Sequence, residues 1–129
     1  MSYRKDVEYW VVTSNNDWES AQNLYRAGEY LFCLFLLHLT VEKLIKAHIQ
    51  NQTGEMPPKK HDLKVLSATA GINLDKETKL LFNELNRFNI LTRYPDVKLS
   101  LYKQATKKLA GQFIKKVEDK RRWLLEMLK

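Results

Sequence analysis

Tyr30-Leu31-Phe32-Cys33-Leu34-Phe35-Leu36-Leu37-His38-Leu39-Thr40-Val41-Glu42-Lys43-Leu44-Ile45-Lys46-Ala47-His48-Ile49 is the segment on which the fold turns. Its first eight residues are apolar without a break, and Val41, Leu44, Ile45 and Ile49 then keep the three- and four-residue steps of one helix face. A helix that is apolar nearly all round and then amphipathic belongs in the middle of a bundle. The run is far shorter than the ~20 residues of a membrane span, so no membrane association is expected. Cys33 lies inside it with no second cysteine to pair, which fits an inert core thiol and a reducing, cytoplasmic setting.

The neighbours of this segment carry the same helical period. Upstream, Val7, Trp10, Val11, Ser14, Trp18, Ala21, Leu24 and Tyr25 form one stripe, and Gly28 marks its stop immediately before the second helix. So short an interval predicts an antiparallel hairpin of two long helices. Downstream, Gly54, Pro57 and Pro58 mark a loop, and a short helix follows from about Asp62 to Ala70, closed by Gly71. Asp75 suits an N-cap for a further helix with Leu80, Leu81, Leu85, Phe88 and Leu91 inward, ended by Pro95. A last helix from Leu99–Leu101 would bury Tyr102, Ala105, Leu109, Phe113, Val117, Leu124 and Leu128. The expectation is an all-α fold over residues 1–129: one up-and-down antiparallel bundle domain of four long helices and one short one.

The 129 residues carry a net charge of +7, unevenly placed. Residues 1–97 balance twelve Lys/Arg against twelve Asp/Glu, whereas residues 98–129 hold ten cations and three acids. Lys103, Lys107, Lys108, Lys115, Arg121 and Arg122 fall opposite the apolar face of the last helix. Two readings stand open: a solvated outer face, or a surface for an acidic partner such as nucleic acid, held through phosphates. No aromatic residue interleaves with these cations on that helix, so base-stacking platforms are missing there.

Three sets of residues bear chemistry. His38, Glu42 and Lys46 recur every four residues on one side of the second helix, with Lys43 on another. They read either as a surface ion pair beside a half-buried histidine or as a positioned polar strip at a cleft. Beyond them only His48 and His61 remain and no H-E-x-x-H spacing occurs, so neither a metal nor another cofactor is expected. His61-Asp62 opens the short helix, where Asp62 suits an N-cap and His61 either packs or meets a phosphate. Arg93-Tyr94-Pro95-Asp96 places a planar cation, an aromatic ring and a carboxylate on one turn. Arg93 grips phosphate and Tyr94 stacks a base, or Arg93 simply clamps the turn onto Asp96. No glycine-rich phosphate loop and no activated Ser or Cys is visible.

These blocks, Trp18 with Ala21, Gly28-Glu29-Tyr30, His38-Leu39-Thr40-Val41-Glu42-Lys43-Leu44-Ile45-Lys46-Ala47, His61-Asp62-Leu63 and Arg93-Tyr94-Pro95-Asp96, occur in an order that resembles the HEPN family, the higher eukaryotes and prokaryotes nucleotide-binding domain. The resemblance implies a helical homodimer with a cleft near its interface, often paired with a minimal nucleotidyltransferase in a toxin–antitoxin module. One branch of the family is metal-independent ribonucleases with an Arg-x(4–6)-His motif. No arginine here is followed by histidine at that spacing. The chain is therefore expected to bind a nucleotide or nucleic-acid phosphate without catalysis, through His38, Glu42, Lys43, Lys46, His61, Arg93, Tyr94 and Asp96. A ribonuclease lacking the motif and a purely protein-binding dimeric scaffold are the alternatives. Dimerisation is also expected from the second helix, apolar over more of its girth than two neighbours cover, and from the area of Trp10, Trp18 and Trp123.

Overall fold

The computed structural model describes residues 2–89 and 95–129, which form six helices: α1 (Ser2–Arg26), α2 (Tyr30–Thr53), α3 (Leu63–Thr69), α4 (Lys76–Asn86), α5 (Pro95–Gln104) and α6 (Lys107–Met127). Gly28 takes a positive φ of 81°, and the amides of Gly28 and Glu29 return to the carbonyls of Tyr25 and Leu24. That pair of bonds satisfies the orphan carbonyls of α1 and reverses the chain within three residues. α1 and α2 then lie antiparallel, with the Ser14 hydroxyl donating to the Thr40 carbonyl at 2.7 Å and Lys43 paired to Asp17 at 2.7 Å. Buried Ser14 and Ala21 keep the two backbones close.

Pairings between the later helices give the remaining directions. Arg121 of α6 donates to Asn15 of α1, so α6 runs back along α1. Asp75, at the start of α4, feels the charge of Lys120, and Phe88, just past its end, packs edge-on against Phe113. α4 therefore opposes α6. The result is an up-down-up-down bundle of α1, α2, α4 and α6, with α3 and α5 as short insertions. α2 is its axis and packs against each of the other five helices. Leu31, Leu34, Leu37, Leu44 and Ile45 are fully buried against Leu63, Leu66, Phe82, Leu85, Phe88 and Leu124. Each such side chain contributes about 1.5–3 kcal/mol.

Several expectations need correction. The last helix is two: Thr106 caps α6 by accepting the Leu109 amide at 3.1 Å, and the chain breaks after Gln104. Leu101, four residues before buried Ala105, faces the core in place of Tyr102, which is exposed and edge-on to Phe32. α4 ends at Asn86, before Pro95; Pro95 instead opens α5, where its missing N–H costs nothing. On α4, Phe82 is buried and Leu80 exposed, the reverse of the reading for Leu80; Leu91 lies outside the described residues. Arg121 is no part of the outer basic face, because its guanidinium turns inward over Trp18. The girth of α2 is largely covered within the chain and Trp18 is in the core, which removes most of that argument for dimerisation.

Candidate functional site

The four-residue stripe of α2 is longer than the three residues singled out in the sequence. His38, Glu42, Lys46 and Gln50 succeed one another along one side, and all four are buried. They form a network rather than a hollow. One flank is α1, where Trp10 donates its indole N–H to Gln50 Oε1 at 2.7 Å and lays its ring 5.8 Å from the Lys46 ammonium. Gln50 in turn donates to Asp6. The other flank is the segment entering α3, which brings His61 and Asp62 beside α2.

Glu42 is the hub. Its side chain is 5% exposed, and its carboxylate receives the Lys46 ammonium at 3.0 Å and the His61 Nδ1–H at 3.1 Å from each oxygen. The expected surface ion pair is thus a buried one. A charge taken from water holds its place only if paired and hydrogen-bonded, and Glu42 has both kinds of partner. His61 is half exposed. With Nδ1 spent on Glu42, its Nε2 has no bonded partner among the described residues, and the carboxylate fixes the ring's tautomer and orientation.

His38 is fully buried, not half-buried. Its Nε2 lies 2.9 Å from the His61 carbonyl and 3.3 Å from Asn86 Oδ1, both acceptors, so Nε2 carries the proton. Nδ1 is then a bare lone pair, buried without a hydrogen bond and 3.7 Å from Glu42 Oε1. Burial lowers the His38 pKa and outweighs the opposing pull of Glu42, Asn86 and the His61 carbonyl. Asn86 completes the arrangement. Its Oδ1 accepts the Leu63 amide and its Nδ2 donates to Asp62 Oδ1, so one amide pins the start of α3 to the end of α4. Asp62 meanwhile caps α3 by accepting the amides of Lys64 and Val65.

The structure brings together His38, Glu42, Lys46 and His61, and separates others from them. Lys43 points to α1 and is held by Asp17. Asp96 is exposed in the first turn of α5, where an acid suits the helix dipole. Arg93 and Tyr94 lie outside the described residues. Asn86, Trp10 and Gln50 were missed. Gln50 was legible as the next step of the stripe, whereas Asn86 reaches His38 from 48 positions away and no local pattern announces it. His48, also buried, serves elsewhere by donating Nε2–H to the Leu124 carbonyl at 2.7 Å. Among the described residues no group of three or more His, Cys, Asp or Glu is placed to hold a metal ion, and no helix is long and apolar enough to cross a membrane.

This arrangement presents one oriented imidazole at the surface, backed by a buried carboxylate, a lysine and a neutral histidine. Protonated, His61 donates Nε2–H to an anion such as a phosphate oxygen; neutral, it accepts from a hydroxyl. Comparison with known proteins adds the lineage. The model of the HEPN domain matches residues 7–128, nearly the whole chain, and the chain belongs to that family. No curated protein and no solved structure matches it.

Proposed function

We propose that this HEPN protein binds a nucleotide or nucleic-acid phosphate without cleaving it, with His61 as the contact and Glu42, Lys46, His38 and Asn86 as the frame that holds it. The family is generally concerned with nucleotides and RNA, which supports the ligand class. The observation that carries the reading is the two-oxygen grip of buried Glu42 on a half-exposed His61. Cleavage of RNA without a metal asks for a group that moves protons and a free cation beside the phosphate. Here the neighbouring lysine is buried and spent on Glu42, and His38 is buried, which favours binding over chemistry. Arg93 and Tyr94 belong to the same proposal as further contacts, and the protein works as a homodimer partnered by a minimal nucleotidyltransferase.

A thermal-shift series with ATP, GTP and short RNA tests the reading. Ligand at 100 times its Kd adds about 2.7 kcal/mol of stability, a rise of several degrees in Tm. The shift with ATP or GTP should vanish in His61→Ala while the apo protein stays folded. Equal shifts in both proteins refute the assignment of His61. The Glu42–His61 dyad also suits general acid–base work, so the enzymatic alternative has its own check. RNA cut in the presence of a chelator by the native chain and not by His61→Ala would replace binding by catalysis.

A further inference from the structure

A second feature lies away from the His61 network and owes nothing to it. Between the C-terminal half of α1 and the N-terminal half of α6 runs an open groove of about 770 Å³. Four cations line it, Arg26 from α1 and Lys107, Lys108 and Lys115 from α6, and no acid does. All four are exposed, and among the described residues none of them is in an ion pair. The contrast with the C-terminal half of α6 is sharp, because there Arg122 pairs with Glu118, Lys120 with Asp119, and Lys129, just beyond the helix, with Glu126. Three cations of the basic C-terminal quarter, joined by Arg26, thus line one groove with no acid among them.

The shape is as informative as the charge. Lys108 and Lys115 are seven residues apart and so share a face of α6, about 10 Å from each other along the axis. Gly111 lies between them on the groove floor, where an added Cβ would come within 3.1 Å of the Tyr25 hydroxyl. Tyr25, half-buried, thus lays its ring into the basic lining from the opposite helix. The cations of α6 lack an interleaved aromatic in sequence, and α1 supplies one in space.

We propose that this α1–α6 groove is a binding site for the backbone of single-stranded nucleic acid, with Lys107, Lys108, Lys115 and Arg26 tracking phosphates and Tyr25 contacting a base. The 10 Å between Lys108 and Lys115 spans about three stacked nucleotides at the ~3.4 Å rise of a strand, so the groove follows a polymer rather than one anion. An aromatic ring among tracking cations is the pattern that single strands use.

Fluorescence anisotropy of the full chain with a short labelled oligouridylate tests this through its salt dependence. Four phosphate contacts on a single strand give a log–log salt slope near −2.8, about a fifty-fold loss of affinity between roughly 50 and 200 mM salt. Lys108→Gln with Lys115→Gln should halve the slope and leave about a seven-fold loss over the same range. Arg122→Gln with Lys129→Gln removes the same charge outside the groove and should leave the slope as it was. The proposal falls if the outside pair lowers the slope equally, if the groove pair leaves the slope unchanged, or if the native chain does not bind at low salt. It also falls if polyglutamate of matched charge displaces the oligonucleotide as well as unlabelled oligouridylate does, because the occupant is then an acidic protein segment.

Discussion

Replacing Glu42 by Gln removes one charge and almost no volume, and the structure says what that leaves behind. The Lys46 ammonium, 3.0 Å from the carboxylate and on a side chain only 8% exposed, would face a neutral amide and the Trp10 ring in place of its counter-charge. Removing one partner of a buried pair costs about 3–5 kcal/mol, mostly from the stranded charge. Loss of the carboxylate that holds His61 adds little to stability, because that ring is half exposed. The expected cost is therefore about 3 kcal/mol, a fall of roughly 10 °C in Tm for a domain of this size. Urea unfolding of four proteins reads it: native, Glu42→Gln, Lys46→Met and the double variant. Neutralising both partners removes the stranded charge, so the double variant should be clearly more stable than Glu42→Gln alone. A single-variant cost below about 1 kcal/mol, or a double variant whose cost is the sum of the two singles, would refute the account of Lys46 as a buried and dependent charge.

Three further outcomes are expected. Burial holds the pKa values of His38 and His48 below the ordinary histidine value, so the folded protein stays neutral at both sites while the unfolded chain takes up protons as pH falls. Stability is then full above about pH 6.5 and declines below it, by up to about 1.4 kcal/mol per pH unit for each histidine until the folded pKa is reached. Denaturant midpoints from pH 7.5 down to about 5 measure this, and a flat profile through that window contradicts it. His48→Ala leaves the Leu124 carbonyl at the end of α6 without its donor and opens a cavity, for a loss of about 2 kcal/mol in urea unfolding; a change within about 0.5 kcal/mol counts against that tie. Cys33, buried and with its thiol pushed up to about 12 by burial, should resist a thiol reagent in the native state and react fully once unfolded, and rapid native labelling would contradict its placement.

The residues that announced the fold were those whose effect is local. Gly28 and Gly54 both adopt the left-handed conformation that ends a helix, Asp62 and Asp75 both accept amides of the first turn they precede, and the α2 stripe keeps its period. The α5–α6 break was harder, because apolar residues at 101, 105, 109 and 113 continue a helical period straight across it. Thr106 was its one local signal, a capping residue ahead of Lys107 and Lys108. The candidate site was legible in part. The recurrence of His38, Glu42 and Lys46 marked the right face of α2, yet its polar residues suggested a surface, and the structure buries them under Trp10 and the approach to α3.

By itself the sequence determined the helical class, most helix ends and the central rank of α2, since periodicity and capping act within a few residues and need no partner. It also determined that the excess positive charge sits in the last quarter of the chain. Only the tertiary structure decided which of those charges are satisfied. It turned Arg121 inward onto Trp18, tied Lys43 to Asp17 and Lys46 to Glu42, and gave Lys107, Lys108 and Lys115 no acid among the described residues, beside Tyr25. The energy of a charge depends on burial and on partners a few ångströms away, and those partners come from helices far apart in the chain.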